Sequence, residues 1–335
     1  MSNKLFSNAL NNIAQVTPPI WFMRQAGRYH KHYREFKKKY TFEELCKDPE
    51  LSSEIACGPI KDFDFDIGIL FSDILFVLEG LGLSLKFDPG PIFSEELTSK
   101  NVDKYRNIDK AIEHLHFQKK AIELIKNKID KNKSLIGFVG GPFTLLRFAK
   151  GKKNKVVLDN NSFEIDFLSK TLIPLLKKNI QLQLNAGAEI VMIFDSGLND
   201  ITEQDFNNCY LDFIKDFNDT FKNKVGYYAK GISANLFNDL IKLNFAGIGC
   251  DSNINIKNLL INKSQGFIQG NFDEKKMLLD KLELKEELNK YCESILTLDI
   301  NQRSGWVCGL GHGIQKETPE ENVHLFIKTI REKFK

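Results

Sequence analysis

Ile67-Gly68-Ile69-Leu70-Phe71-Ser72-Asp73 is a short apolar run that stops on a hydroxyl and a carboxylate. A run this short, with no charge inside it, reads as a strand buried on both faces, as a helix-covered parallel sheet requires. Six further runs share the build: 135–139, 190–194, 225–229, 247–250, 267–269 and 306–310. Each ends in glycine or a polar residue and leads into a longer amphipathic segment, a βαβα rhythm. Residues 19–23 add a further strand-like unit, and eight such units are what closes a parallel barrel. A doubly wound open sheet has the same rhythm and stands as the alternative. The polar residues favour the barrel. Arg24, Asp73, Gly140-Gly141-Pro142, Asp195-Ser196, Asp251, Asn271 and His312 each follow one of the runs. In a single (β/α)8 TIM barrel these positions open on one face, the carboxyl end of the strands, where active sites of that architecture are built.

Between the runs, Ile108, Ile112, Leu115, Ile122, Ile125 and Ile129 recur at helical spacing. Thr41 to Glu44 and Thr318 to Glu321 read as capping boxes, with Pro319 at the first position of the last helix. Residues 85–93, with Asp88-Pro89-Gly90-Pro91 inside, read as an inserted hairpin or loop. No fixed-period repeat, linker or composition break marks a second domain, so 1–335 is expected to be one domain.

At 335 residues and 42% hydrophobic, the chain can bury a sizeable core. A net charge of +3 from nearly balanced acids and bases argues against a nucleic-acid binder, so any anion site must be local. The lysines of 37–39 and 150–155 read as solvated faces, with room for the second group to border a pocket. Six scattered cysteines without a Cys-x-x-Cys pair, and no secretory leader pattern, place the expected protein in a reducing cytoplasm. The most apolar stretch, 67–83, is broken by Asp73, Glu79 and Gly80, so no membrane span is expected.

Trp21-Phe22-Met23-Arg24-Gln25-Ala26-Gly27-Arg28-Tyr29 sets two arginines around a small turn, read as strand then loop. Guanidinium keeps its charge and offers paired planar donors, which suits a substrate with several carboxylates or phosphates. Asp73 reads either as a helix cap or as a desolvated carboxylate waiting for substrate N–H groups. Gly309-Leu310-Gly311-His312-Gly313 places a histidine where backbone can approach a ligand. Cys308 with His312 lacks partner ligands for zinc, and His30-x-His32 reads as an exposed loop, not a metal site.

These motifs in this order resemble the uroporphyrinogen decarboxylase family. The likeness runs over nearly the whole chain and includes the arginine turn, Phe71-Ser72-Asp73-Ile74-Leu75, Gly137-Phe138 through Pro142-x-Thr144-Leu145, Ala186-Gly187-Ala188, Phe194-Asp195-Ser196, Gln269-Gly270-Asn271 and Leu310-Gly311-His312-Gly313. The resemblance implies a TIM barrel, usually a homodimer, that decarboxylates the four acetate side chains of uroporphyrinogen III to coproporphyrinogen III without metal or organic cofactor. It implies that Arg24 and Arg28 bind or orient carboxylates, with Gln25, Ala26 and Gly27 assisting. It also implies that Asp73 meets the pyrrole N–H groups, that Phe138 and Phe194 flank the ring, and that Ser196 and His312 hold peripheral carboxylates. The proton donor stays open between Arg24, a water and the substrate's own carboxyl.

The chain departs from the family in several places. The usual Tyr-Leu-Pro-Glu-Tyr-Arg is Tyr29-His30-Lys31-His32-Tyr33-Arg34, and Lys37 stands for an arginine found in some members. Phe148 stands for a substrate-facing tyrosine, 150–155 for a longer Gly/Ser-containing loop, and Ser252 for a tryptophan. Two competing readings exist. A zinc-dependent corrinoid methyltransferase of the same barrel superfamily needs a His-x-Cys that the chain lacks. A non-catalytic tetrapyrrole binder would fit Phe148 and the altered loop, but the retained Arg24, Arg28 and Asp73 argue against it.

Overall fold

A computed structural model describes residues 3–151, 154–263 and 265–335. Its strands are β1 Ile67–Ile69, β2 Leu85–Phe87, β3 Pro91–Phe93, β4 Ser134–Gly140, β5 Val191–Phe194, β6 Val225–Tyr228, β7 Gly247–Gly249, β8 Phe267–Phe272 and β9 Trp306–Leu310. Seven of them form one parallel sheet in the order β1-β4-β5-β6-β7-β8-β9, in register Ile69 to Ile136, Val139 to Ile193, and Ile193 to Tyr227. All seven uninterrupted apolar runs are therefore strands. Helices join them, and β2 and β3 make a separate antiparallel hairpin at 85–93.

Alternation along the strands sorts the side chains into two cores. Met192, Tyr228, Phe267 and Val307 join Trp21, Met23, Ile67 and Ile69 in an inner cluster, around which the sheet curls. Their neighbours Val191, Ile193, Tyr227, Ile268 and Cys308 face outward into the larger core beneath the helices. Phe138 and Phe194 are half-buried at the inner cluster's edge.

Residues 19–23 form a single parallel bridge, Ile20 to Cys308, instead of a full strand. Trp21 N–H donates to the Cys308 carbonyl at 3.0 Å, and Cys308 N–H to the Pro19 carbonyl at 2.8 Å. On the other side Asp66 N–H donates to the Ile20 carbonyl at 3.2 Å, while the buried Asp66 carboxylate accepts from Ile20 N–H and Arg331, each at 2.7 Å. This segment thus lies between β9 and β1.

Three local expectations are corrected. The isoleucine pattern of 108–129 spans two helices, Ile108–His114 and His116–Lys128, parted at Leu115. The Thr41 capping box forms in both directions, but Thr318 makes none: Pro319 is the N-cap of Glu320–Lys333, and the buried Thr318 hydroxyl has no hydrogen-bond partner among the described residues. An extended Pro319, ψ 136°, moves the helix start one residue on, out of reach of the Thr318 side chain. His30, expected in an exposed loop, is buried against Phe63 and bonds Asp62 at 2.8 Å. Among the described residues no helix is long and apolar enough to cross a membrane.

Candidate active site

The arginine turn is held from both ends. Met23 accepts from Ile314 N–H at 3.1 Å, the Tyr29 hydroxyl donates to the Gln25 carbonyl at 2.6 Å, and Arg34 donates to the carbonyls of Arg28 and Tyr29. Arg24 takes φ 62°, a left-handed conformation costing roughly 1–3 kcal/mol for a side-chain-bearing residue, which only a locked surrounding sustains. Its side chain then runs over Gly313, where a Cβ would come within 2.4 Å of Arg24 Cδ. This glycine is required by the arginine, and it brings Arg24 beside His312. Arg34, Arg106, Arg147 and Arg331 all pair with carboxylates. Arg24 and Arg28 are exposed and form no ion pair with a described carboxylate.

From His312 an aromatic row crosses the sheet. His312 stacks on Tyr228 at 5.9 Å and 12°, Tyr228 meets Phe194 edge-on at 6.1 Å, and Phe194 meets Phe138 at 5.7 Å. Trp21 stacks beneath Phe194 at 6.5 Å. Phe138 in turn shares a cleft with Asp73. The row therefore gives an apolar floor with His312 and Arg24 at one end and a carboxylate at the other. Burial, with Lys230 and then Arg24, lowers the His312 ring to about 3, so it is neutral near pH 7.

Asp73 is half-buried, and its Oδ1 accepts Leu75 N–H at 2.9 Å. That is a local turn, not a helix cap, since Leu75 is the N-cap of the helix Phe76–Gly80. A polar chain stands behind it: Gln118 donates to Ser72 at 3.0 Å, and Gln183 clasps the Phe138 backbone, accepting its N–H and donating to its carbonyl, both at 2.9 Å. Ser196 is half-buried at the end of β5. Asp195 is fully buried and accepts Thr144 N–H at 2.8 Å, the Thr144 hydroxyl at 2.6 Å, the Tyr227 hydroxyl at 2.6 Å and the Tyr210 hydroxyl. A Cβ on Gly141 would lie 2.2 Å from Asp195, so close packing accounts for the glycines after β4.

The other polar residues at the strand ends tie loops. Asp251 accepts Gly231 N–H at 2.7 Å, and Asn271 donates to the carbonyls of Asp251 and Ile254 at 2.9 and 2.7 Å. Gln25, Ala26 and Gly27 form the interior of the arginine turn, with the Gln25 amide buried and without a hydrogen-bond partner among the described residues. Lys37 and Ser252 are exposed, Phe148 is half-buried, and Lys150 pairs with Glu164. Lys152 and Lys153 lie outside the described residues. Among the described residues no three His, Cys, Asp or Glu side chains gather as a metal site, and all six cysteines are free thiols. Sequence reasoning missed Tyr228 and Lys230. The Tyr227-Tyr228 pair does not announce which ring faces inward, and Lys230 is marked only by following the strand-like run directly.

Comparison with known proteins bears on this arrangement. Residues 1–333 match the family model described as uroporphyrinogen decarboxylase (URO-D). A uroporphyrinogen decarboxylase of Orientia tsutsugamushi is 33% identical, covering 96% of each chain, and one of Campylobacter lari is 34% identical, covering 95% of each. A methyltransferase from Methanosarcina mazei superposes with TM-score 0.77 over 99% of both chains at 16% identity, which is a likeness of fold alone.

Proposed function

The chain belongs to the uroporphyrinogen decarboxylase family, and from that premise we propose that this rim removes the four acetate carboxyl groups of uroporphyrinogen III, giving coproporphyrinogen III for haem biosynthesis. The observation that carries the reading is the aromatic floor, with Asp73 beside Phe138 at one end and Arg24 beside His312 at the other. A cyclic tetrapyrrole offers what this surface lacks: flat apolar faces, central N–H donors and peripheral carboxylates.

Arg24 and Arg28 are assigned to those carboxylates, with backbone of Gln25, Ala26 and Gly27 beside them, and Ser196 and His312 to others on the periphery. Phe138 and Phe194 lie against the ring face, and Asp73 accepts from the pyrrole N–H groups. Protonation of the pyrrole carbon next to an acetate arm makes the ring cationic. The bond to the carboxylate then breaks, its electron pair flows into the ring, and CO₂ leaves. A proton added at the exocyclic carbon, with return of the ring proton, completes the methyl group, so each step consumes one proton. Asp73 stabilises the cation from its N–H side, an effect that strengthens as water is excluded. A neutral His312 has no imidazolium proton to give, which leaves Arg24, a water or the substrate's own carboxyl as proton source.

The bonds of Ile20, Trp21 and Asp66 support residues 19–23 as the eighth stave of a closed (β/α)8 barrel, one domain over the whole chain. Free thiols suit a cytoplasmic setting, the balanced charge offers nothing to nucleic acid, and a homodimer follows the family. Anaerobic incubation with uroporphyrinogen III, then oxidation and chromatography, should yield seven- to four-carboxylate porphyrins; their absence overturns the reading.

A further inference from the structure

Tyr228 has one hydroxyl hydrogen and two polar neighbours, the Gly311 carbonyl at 2.9 Å and His312 Nδ1 at 2.8 Å. A carbonyl oxygen only accepts, so the hydroxyl hydrogen goes to Gly311, and the hydrogen in the His312 contact comes from the ring nitrogen. Tyr228 cannot turn to the other choice easily. It is 1% exposed, stacked on the imidazole and braced edge-on by Phe194. We propose that Tyr228 is a positioning residue that fixes His312 with its hydrogen on Nδ1 and a lone pair on Nε2, so that a substrate carboxylate docks on His312 only together with a proton.

The surroundings support both halves. Lys230 and Arg24 face the ring and, with burial, keep it neutral before ligand arrives. Asp251, Glu274 and Cys250 face Tyr228, and burial with these neighbours keeps it a phenol. Lys230 also faces Glu274 at 3.7 Å, which tempers its charge. A lone pair set against a carboxylate oxygen repels it. One proton taken from solvent and held between Nε2 and that oxygen turns the contact into a charge-assisted hydrogen bond, with no heavy-atom bond made or broken. The carboxylate's identity rests on the decarboxylase reading; the tautomer does not.

Two measurements separate the parts. Nitrogen NMR of histidine-labelled protein at neutral pH should find His312 protonated at Nδ1, with Tyr228→Phe relaxing that preference; an Nε2–H ring in the unsubstituted protein overturns the proposal. Calorimetric titration with uroporphyrin III, the oxidised and unreactive macrocycle with the same carboxylates, in buffers of different ionisation enthalpy should give uptake of about one proton per site. In Tyr228→Phe the uptake should fall while binding persists, because the freed ring can present an Nε2–H to the carboxylate. Binding without proton uptake in the unsubstituted protein overturns the coupling. Loss of turnover with the Nδ1–H tautomer intact would count against the decarboxylase reading and leave the tautomer standing.

Discussion

Phe71-Ser72-Asp73 and Phe194-Asp195-Ser196 use the same three residue types in two orders and make opposite sites of them. After β5, Asp195 points away from the mouth into the helix layer, where four donors and full burial seal it. Ser196, one step on, is half-buried. After β1 the phase is reversed. Ser72 accepts from Gln118 at 3.0 Å, and Asp73 borders a cleft that it shares with Phe138, Gln118 and Asn179. The alternation of side chains along an extended backbone decides which aspartate is sealed in the helix layer and which borders the cleft. The residue types alone do not.

The largest test of that contrast is Asp195→Ala. It strands four buried donors, each worth roughly 1–3 kcal/mol when unsatisfied, so stability in urea should fall by about 4 kcal/mol or more. A loss under about 1 kcal/mol would break the comparison. Asp73→Asn keeps an oxygen for Leu75 N–H and should cost less stability than Asp195→Ala, while kcat falls roughly 100- to 1000-fold; full activity would remove Asp73 from the mechanism. Gly313→Ala pushes a methyl group into Arg24 and should raise KM about tenfold, equivalent to about 1.4 kcal/mol. Gly90→Ala, with nothing within 4 Å, is the control that should change neither parameter.

The smallest effect is a slope in stability with pH. His30 and His312 are both lowered from 6.5, chiefly by burial, His30 against the raising pull of Asp62. Below pH 6.5 the unfolded chain takes up protons at both rings more readily than the folded chain, so stability is lost as pH falls and is level above. Urea titrations of the protein and of His30→Gln should differ in that slope; identical slopes would remove His30 as a contributor.

Seven strands were legible because a strand covered on both faces has no charged residue to interrupt its run. The segment 19–23 was half legible: it occupies a strand's place but makes one bridge residue. Thr41 and Thr318 carry similar capping letters, yet only Thr41 caps, because Pro319 keeps an extended ψ and delays the helix. His30 was misread because its partner Asp62 lies on the helix Pro49–Phe63, far along the chain. Arg24, Asp73 and His312 stood out in the sequence as candidates, and the structure sets Arg24 beside His312 and Asp73 beside Phe138. Tyr228 was not, because its role depends on which of two adjacent tyrosines the curl of the sheet turns inward.

The carboxylate of Asp66 clasps Arg331 across a separation of 265 residues while also holding Ile20. A ribosome delivers Ile20 and Asp66 long before Arg331, so the early segment must wait, apolar and unzipped, for residues 306–331 to emerge. The contacts of Ile20 and Asp66 with Cys308 and Arg331 are then expected late in folding, because contacts of such long range are slow to form. Pulsed hydrogen exchange during refolding should find the amides of Ile20, Trp21 and Cys308 protected after those of β4 and β5; early protection would place closure before the rest of the sheet.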